Sequence, residues 1–213
     1  MKQTKLLFAI VQFAWVSALP AQQIEFVPDL SKVNDSKLWS VSNREVKYDS
    51  VVYLNGKPGD GALWLNGSNF KNGEIEIDIK GNDVPGMSFV GVAFHGLNDS
   101  TYEAIYFRPF NFKNLRRNDH SVQYIAHPQY TWNRLRDEHP GKYEQKVSPV
   151  PDPAGWFHAL IVIKFPVVKV FINHSGEPSL IINQLSNRQE GKVGLWVGNN
   201  SEGYFKNLRI ITK

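Results

Sequence analysis

Short apolar or alternating runs recur along the chain, separated by Gly, Pro, Asn and Asp. Beyond the first 21 residues, no helix-length stretch has a clear 3.6-residue period, so the pattern is typical of an all-β protein. The predicted strands are Leu38–Val41, Val46–Leu54, Ala62–Leu65, Gly73–Lys80, Phe89–His95, Tyr102–Arg108, Val122–His127, Trp156–Phe165, Val168–Asn173, Leu180–Gln184, Val193–Val197 and Tyr204–Ile211. This number of strands predicts two packed antiparallel sheets, a jelly-roll sandwich.

One long segment, Pro109–Pro153, lacks this regular succession of short strands and turns. Only Val122–His127 within it has a strand pattern, and the rest is rich in Arg, Asn, His, Tyr and Pro. A long excursion from a compact β domain usually carries function or covers a sheet edge.

The N-terminus predicts export. Lys2 and Lys5 precede an apolar run, Leu6–Ala18, and small residues follow, which is the pattern of a secretory signal peptide over residues 1–21. The apolar run is too short to remain as a comfortable membrane span. Residues 22–213 are then one periplasmic or extracellular domain, and we expect no transmembrane segment after the leader is removed.

Charge and cysteine content narrow the function classes. Loss of the leader lowers the formal net charge from +4 to +2, so we expect no nucleic-acid partner. The chain has no cysteine, which excludes disulfides, thiolate metal sites and cysteine nucleophiles and suits a bacterial exported protein.

The six histidines lack metal-site spacing, so we expect no cofactor. A structural calcium ion near Asp60 or Asp99 is the one metal site left open. We expect a monomer.

Three motifs could carry chemistry. In Gly73–Lys80, alternation puts Glu74, Glu76 and Asp78 on one strand face, and the favoured interpretation is a solvated acidic face. The second motif is Tyr102–Phe112, in which Tyr106 and Arg108 share a strand face and Asn111 follows.

Glu103 lies beside apolar residues in the second motif and is the first candidate catalytic carboxylate, either at a strand end or partly buried with a shifted pKa. The alternative for this strand is a tyrosine-rich outer face with Arg108 in a structural ion pair.

The third motif runs from His120 to Glu144. Gln123 and His127 share a strand face, Trp132 and Arg136 follow in a predicted loop, and Glu144 closes the segment as a second candidate catalytic carboxylate. Sugar sites need aromatic faces for C–H groups and polar side chains for hydroxyls. A loop packed on the sheet edge by its own aromatic residues is the structural alternative.

The chain resembles the concanavalin A-like lectin/glucanase superfamily. The run Gly191–Ile210 resembles its closing hairpin, Phe70–Ile79 its early strand after an aromatic and a glycine, and Phe89–Phe94 the next strand. Within Gly73–Lys80, Glu-Ile-Glu-Ile-Asp also resembles the catalytic strand of laminarinase- and lichenase-type hydrolases, with two of its three acids differing. The overall likeness is to secreted bacterial 3-keto-disaccharide hydrolase and family-sixteen-like glycoside hydrolase domains. The chain lacks the Gly-x-Glu-x-Gln-Ile run of many such proteins, so the resemblance transfers no catalytic residue.

Three functions follow as hypotheses. The first two have an oligo- or polysaccharide as the partner, and the third has no ligand. The first is an enzyme that cleaves a glycosidic bond, with Glu103 or Glu144 as acid/base. The second is a lectin-like binding module. The third is a structural or adhesive sandwich. The predicted sugar-binding residues for the first two are Tyr106, Arg108, Asn111, Gln123, His127, Trp132 and Arg136.

Overall fold

The computed structural model describes residues 23–213, and the predicted signal peptide over residues 1–21 lies outside them. Strands dominate. They are β1 (Ile24–Phe26), β2 (Trp39–Ser42), β3 (Val46–Asp49), β4 (Val51–Leu54), β5 (Gly61–Leu65), β6 (Gly73–Lys80), β7 (Val90–Asn98), β8 (Thr101–Phe107), β9 (Val122–Ala126), β10 (Glu144–Gln145), β11 (Phe157–Lys164), β12 (Val167–Ile172), β13 (Leu180–Asn183), β14 (Lys192–Val197) and β15 (Gly203–Thr212). Within the described residues, one helix, α1 (Trp132–Glu138), and three 3₁₀ turns (Leu30–Lys32, Pro109–Asn111 and Asn118–His120) complete the elements.

The strands form two antiparallel sheets. One has the order β13-β12-β11-β6-β15-β4-β3, with β1 pairing to the far end of β15. The other has seven strands in the order β10-β9-β8-β7-β14-β5-β2. The predicted all-β two-sheet sandwich is confirmed.

The core lies between the sheets and is built by strand alternation. Ile75, Ile77 and Ile79 of β6 are fully buried, while the residues between them are half-buried. From the seven-stranded sheet, Phe107 reaches across to Phe157 of β11, with ring centroids 5.0 Å apart. Apolar side chains from both inner faces thus fill one continuous interior.

The outer faces of the two sheets differ. On β6 the outward residues pair with charged neighbours: Glu74 with Lys213, and Glu76 with Arg209. The acidic stripe is therefore the solvated, ion-paired outer face that the pattern favoured. In the seven-stranded sheet, by contrast, β9 is buried at every position and β8 at all but its first. Because these two strands are buried on both faces, another part of the chain must cover the outer face of this sheet.

The cover is the Pro109–Pro153 segment, whose structure differs from the predicted loop at one point. Residues Trp132–Glu138, expected in a loop, form helix α1, with Leu135 as its buried residue. The segment also supplies the short strand β10, which pairs with β9.

Truncating a fully buried side chain in the core should destabilise the protein. We expect Ile77→Ala to lower the free energy of unfolding by about 2–5 kcal/mol, because Ile77 is fully buried and the substitution leaves a cavity. Urea unfolding followed by tryptophan fluorescence measures this. The control is Ile181→Ala on β13, where the side chain is 56% exposed and the loss should stay below about 1 kcal/mol. Equal losses at both positions would contradict the assigned core.

Candidate functional site

A cleft of about 550 Å³ opens between the outer face of the seven-stranded sheet and its covering segment. That volume is within the range for small-molecule sites. Sheet, turns and helix all contribute to its walls. The residues that line it are Asp60, Gly86, Phe89, Tyr106, Arg108, Phe110, Asn111, Arg116, Arg117, His120, Ile125, His127, Thr131, Trp132, Asn133, Arg136, Trp196, Gly198 and Asn199.

The floor of the cleft is one row of side chains that crosses the sheet. Glu144 pairs with Gln123, Gln123 with Tyr106, Tyr106 with Gly91, and Gly91 with Trp196. Paired residues point to the same face, so alternation places the whole row beneath the cleft. Gly91 has no side chain, and the rings of Tyr106 and Trp196 meet with centroids 5.1 Å apart.

Aromatic rings supply most of the apolar surface. Phe89 packs edge-on against Phe110, with centroids 5.7 Å apart. Trp132, at the start of α1, is 50% exposed, and the guanidinium of Arg136 lies 5.2 Å from its ring centroid. A cation held over the ring one turn along the helix fixes the ring's orientation.

A buried carboxylate, Glu144, holds the basic side of the site together. Arg136 donates two hydrogen bonds to it, from Nε at 2.9 Å and Nη2 at 2.6 Å. Arg108 Nη1 lies 3.5 Å from the same carboxylate. His120 Nδ1 lies 2.9 Å away, but outside hydrogen-bond geometry, so that contact is electrostatic.

The surrounding basic side chains determine the charge state of Glu144. Burial alone would raise its pKa, but the hydrogen bonds from Arg136 and the charges of Arg136, His120 and Arg108 outweigh burial and lower it. Glu144 is therefore an ionised acceptor at neutral pH, with both oxygens engaged.

Arg108 is fixed from several directions. It is 5% exposed, and its guanidinium donates to the carbonyl of His120 at 3.0 Å, to the hydroxyl of Tyr106, and to Oε1 of Gln123. The Tyr106 hydroxyl also donates to Gln123 at 2.9 Å. Gln123 thus lies behind the cleft and positions the two side chains that line it.

The opposite side of the cleft contains its acidic residue. Asp60 accepts a hydrogen bond from the hydroxyl of Tyr102 at 3.0 Å, and Trp196 Nε1 donates to the same hydroxyl at 3.1 Å. His127 stacks on Tyr102 with ring centroids 5.0 Å apart. Burial lowers the pKa of His127 and so favours the neutral ring, while the negative charge of Asp60 acts in the opposite direction and is the weaker effect.

Glu103 lies on the other face of the sheet, inside the sandwich. It is fully buried and accepts hydrogen bonds from Gln184 at 3.0 Å, Ser186 at 2.7 Å and Tyr124, while His95 Nδ1 lies 3.2 Å away. Burial would raise the pKa of Glu103, but these hydrogen bonds outweigh it and lower the pKa. The structure therefore gives Glu103 a position between the sheets rather than in the cleft.

The predicted binding residues fall into two groups. Tyr106, Arg108, Asn111, His127, Trp132 and Arg136 all line the cleft. Gln123, like Glu144, lies just behind it.

Sequence reasoning missed the aromatic residues Phe89, Phe110 and Trp196 and the arginines Arg116 and Arg117 as site residues. One signal was present: in β14 the sequence Val-Gly-Leu-Trp-Val puts Trp196 on the face opposite the aliphatic residues.

Both carboxylates that the sequence offers as candidate calcium ligands accept a side-chain hydrogen bond, and a calcium site there stays a prediction. Asp60 accepts from Tyr102, and Asp99 accepts from Trp64 Nε1 at 2.9 Å. Within residues 23–213, no group of three or more His, Cys, Asp or Glu side chains is placed to hold a metal ion. The same residues contain no helix long and apolar enough to cross a bilayer.

Comparison with known proteins identifies the fold. No family model and no curated protein matches the sequence. Among solved structures, the carbohydrate-binding module CBM66 from Bacillus subtilis superposes with a TM-score of 0.60 at 13% identity, covering 83% of this chain and 97% of that chain. A Parabacteroides distasonis protein provisionally assigned as a glycosyl hydrolase gives 0.52 at 16% identity, covering 82% and 87%.

A third similar structure is the exoplasmic/lumenal domain of VIP36 with Ca²⁺ and Man3GlcNAc bound, at a TM-score of 0.52 and 11% identity, covering 82% of this chain and 83% of that one. At such low identity these likenesses establish the fold alone. The expected concanavalin A-like sandwich is confirmed.

The ionised state of Glu103 should stabilise the fold in a pH-dependent way. Because its folded-state pKa lies below the ordinary 4.5, its contribution is fully present above that pH and is lost as the pH falls through the folded-state value. We expect Glu103→Gln to lower the free energy of unfolding at pH 7 by about 1.5–3 kcal/mol. The gap to wild type should narrow below pH 4.5.

Denaturant unfolding of both proteins between pH 7 and pH 3 tests this. A gap that stays constant or widens on acidification would contradict an ionised, hydrogen-bonded Glu103.

Loss of the Glu144 charge should destabilise the site. In Glu144→Gln the cation Arg108 stays buried without its counter-charge, which we expect to cost about 3 kcal/mol of folding free energy. Thermal unfolding measures it. Glu138→Gln, on the exposed end of α1, removes a carboxylate bonded to Arg134 and should cost less than about 1 kcal/mol. A Glu144 variant as stable as the Glu138 variant would show that Glu144 does not hold the cleft together.

Proposed function

We propose that this protein is a carbohydrate-binding domain and that the cleft on the seven-stranded sheet is its saccharide site. One observation carries the proposal: a cleft of about 550 Å³ in which aromatic rings and guanidinium, amide and imidazole groups line the same walls. Aromatic faces bind the C–H surfaces of sugar rings, and multi-donor polar groups bind hydroxyls. The fold is compatible with the proposal, since solved structures of similar fold include proteins named for carbohydrate binding.

The site is also pre-organised. Arg108, Tyr106 and Gln123 hold one another by hydrogen bonds, and Arg136 is fixed between Glu144 and Trp132. Side chains that are already ordered lose little further entropy when a ligand binds. The ion pair of Arg108 with Glu144 is thus part of what orders the proposed site.

The carboxylates support binding more than hydrolysis. A glycosidase needs two carboxyl groups on either side of the scissile bond, and one of them must hold a proton. Among the lining residues that the structure describes, Asp60 is the one carboxylate. Glu144 lies behind the arginines with a lowered pKa, and Glu103 lies between the sheets.

The cellular context remains part of the proposal. The predicted leader would deliver the domain to the periplasm or the cell exterior, where polysaccharides are found. The monomeric state and the absence of a nucleic-acid partner stay predictions.

Trp132 should be the main stacking platform. We expect Trp132→Ala to weaken saccharide binding about tenfold, which is about 1.4 kcal/mol, because the ring is half exposed at the mouth of the cleft. Calorimetry with a ligand selected from a glycan panel measures it. The matched control is Trp156→Ala: this tryptophan lies beneath Lys206 and does not line the cleft. Equal affinities of wild type and Trp132→Ala would contradict the assigned site.

The same panel separates binding from cleavage when it is also read for reducing-end release. We expect binding without release in wild type and in Asp60→Asn. Release that Asp60→Asn abolishes would overturn the binding proposal in favour of an enzyme. A panel with neither binding nor release would leave the structural or adhesive hypothesis.

A further inference from the structure

Resting on the proposed carbohydrate site, we infer that its ligand is an acidic saccharide, one whose sugar rings carry carboxylate or sulfate groups. The protein itself neutralises the charges that line the cleft only in part.

Cations outnumber anions in this site. Four arginines line it, Arg108, Arg116, Arg117 and Arg136. Opposing them are Asp60 in the lining and Glu144 behind it, so with histidines neutral the site has a formal charge of +2. Charge of one sign in a concave, partly desolvated site raises the local concentration of oppositely charged ligands. A neutral sugar would leave that excess uncompensated.

Arg116 and Arg117 make up the excess. Among residues 23–213, no carboxylate lies within ion-pair distance of either guanidinium, whereas Arg136 and Arg108 both contact Glu144. Both side chains are exposed at the wall of the cleft. They are therefore the charges a ligand can still compensate.

The backbone that carries these two arginines is held by successive tight turns. Arg117 N donates to the carbonyl of Asn114 at 3.0 Å, and Arg116 N donates to the Asn114 side chain at 3.0 Å. The next turn continues from His120 N to the carbonyl of Arg117 at 3.0 Å. The loop thus presents the two guanidinium groups from an ordered main chain.

Arg136 adds a donor on the helix side. Its Nε and Nη2 are bonded to Glu144, which leaves Nη1 for a ligand, and its side chain is 34% exposed. A guanidinium matches the planar geometry of a carboxylate or sulfate and binds it through parallel hydrogen bonds. Trp132, beneath Arg136, would hold the sugar ring that carries the anionic group.

Two matched pairs of probes test the inference by calorimetry on the full protein. The carboxylate pair is oligogalacturonide and its methyl ester. The sulfate pair is a carrageenan oligosaccharide and its desulfated form. We expect the charged member of at least one pair to bind about tenfold more tightly than the neutral member, with affinity falling as salt is raised. The pair that discriminates identifies the anionic group.

Variants connect the preference to the named residues. We expect the double variant Arg116→Gln/Arg117→Gln to bring the affinity for the charged member close to that for its neutral partner. Arg134→Gln is the matched control, because Arg134 is exposed on α1, is bonded to Glu138 and does not line the cleft. It should keep the preference. Equal losses in the double variant and in Arg134→Gln would show a diffuse charge effect and overturn the inference.

The remaining outcomes separate this inference from the proposed function. Equal binding of charged and neutral members would overturn the acidic-ligand inference and leave the carbohydrate site standing. Binding of neither member of either pair, together with binding of neutral glycans on the panel, would overturn it in the same way. Binding of no saccharide at all would overturn both.

Discussion

The cleft depends on one buried carboxylate. Glu144 is 2% exposed, and basic side chains from three parts of the covering segment or the sheet edge converge on it: the guanidinium groups of Arg108 after β8 and Arg136 on α1, and the imidazole of His120 before β9. A guanidinium as buried as Arg108 is costly without a partner, because desolvation penalises its charge. By supplying the counter-charge, Glu144 fixes the covering segment on the outer face of the sheet and leaves a cleft beneath it.

Strand alternation decides which carboxylates can take part in chemistry there. On β8, Tyr106 points to the cleft and Glu103, an odd number of residues away, points into the sandwich. Their hydrogen-bond partners differ accordingly, Gln123 for the tyrosine and Gln184 with Ser186 for the glutamate. An odd spacing along the strand thus separates a cleft-facing group from an internal one, and no side-chain rotation moves Glu103 across the sheet.

The sequence predicts features that depend on local periodicity and misses those that depend on distant partners. Alternation on β6 and β8 is visible in the printed sequence, and so is the excess of planar polar groups in the covering segment. Helix α1 is not, because seven residues with Leu135 as the buried one give no measurable period. The sequence does indicate that Glu103 is buried, because this carboxylate stands among apolar residues. Its neutral partner Gln184, 81 positions away, is not, and without that partner an odd carboxylate resembles a catalytic one.

The use of Glu144 as an anchor limits the chemistry the site can perform. A general acid must hold a proton near neutral pH, which requires a raised pKa, whereas an anchor for arginines must be ionised. The arginines that lower the pKa of Glu144 are the same groups that line the cleft, so strengthening the basic wall weakens any acid function. This opposition is the physical basis for proposing recognition rather than bond cleavage at this site. The unneutralised cations Arg116 and Arg117 lie at the same wall, where an anionic ligand would complete the pairing that Glu144 begins.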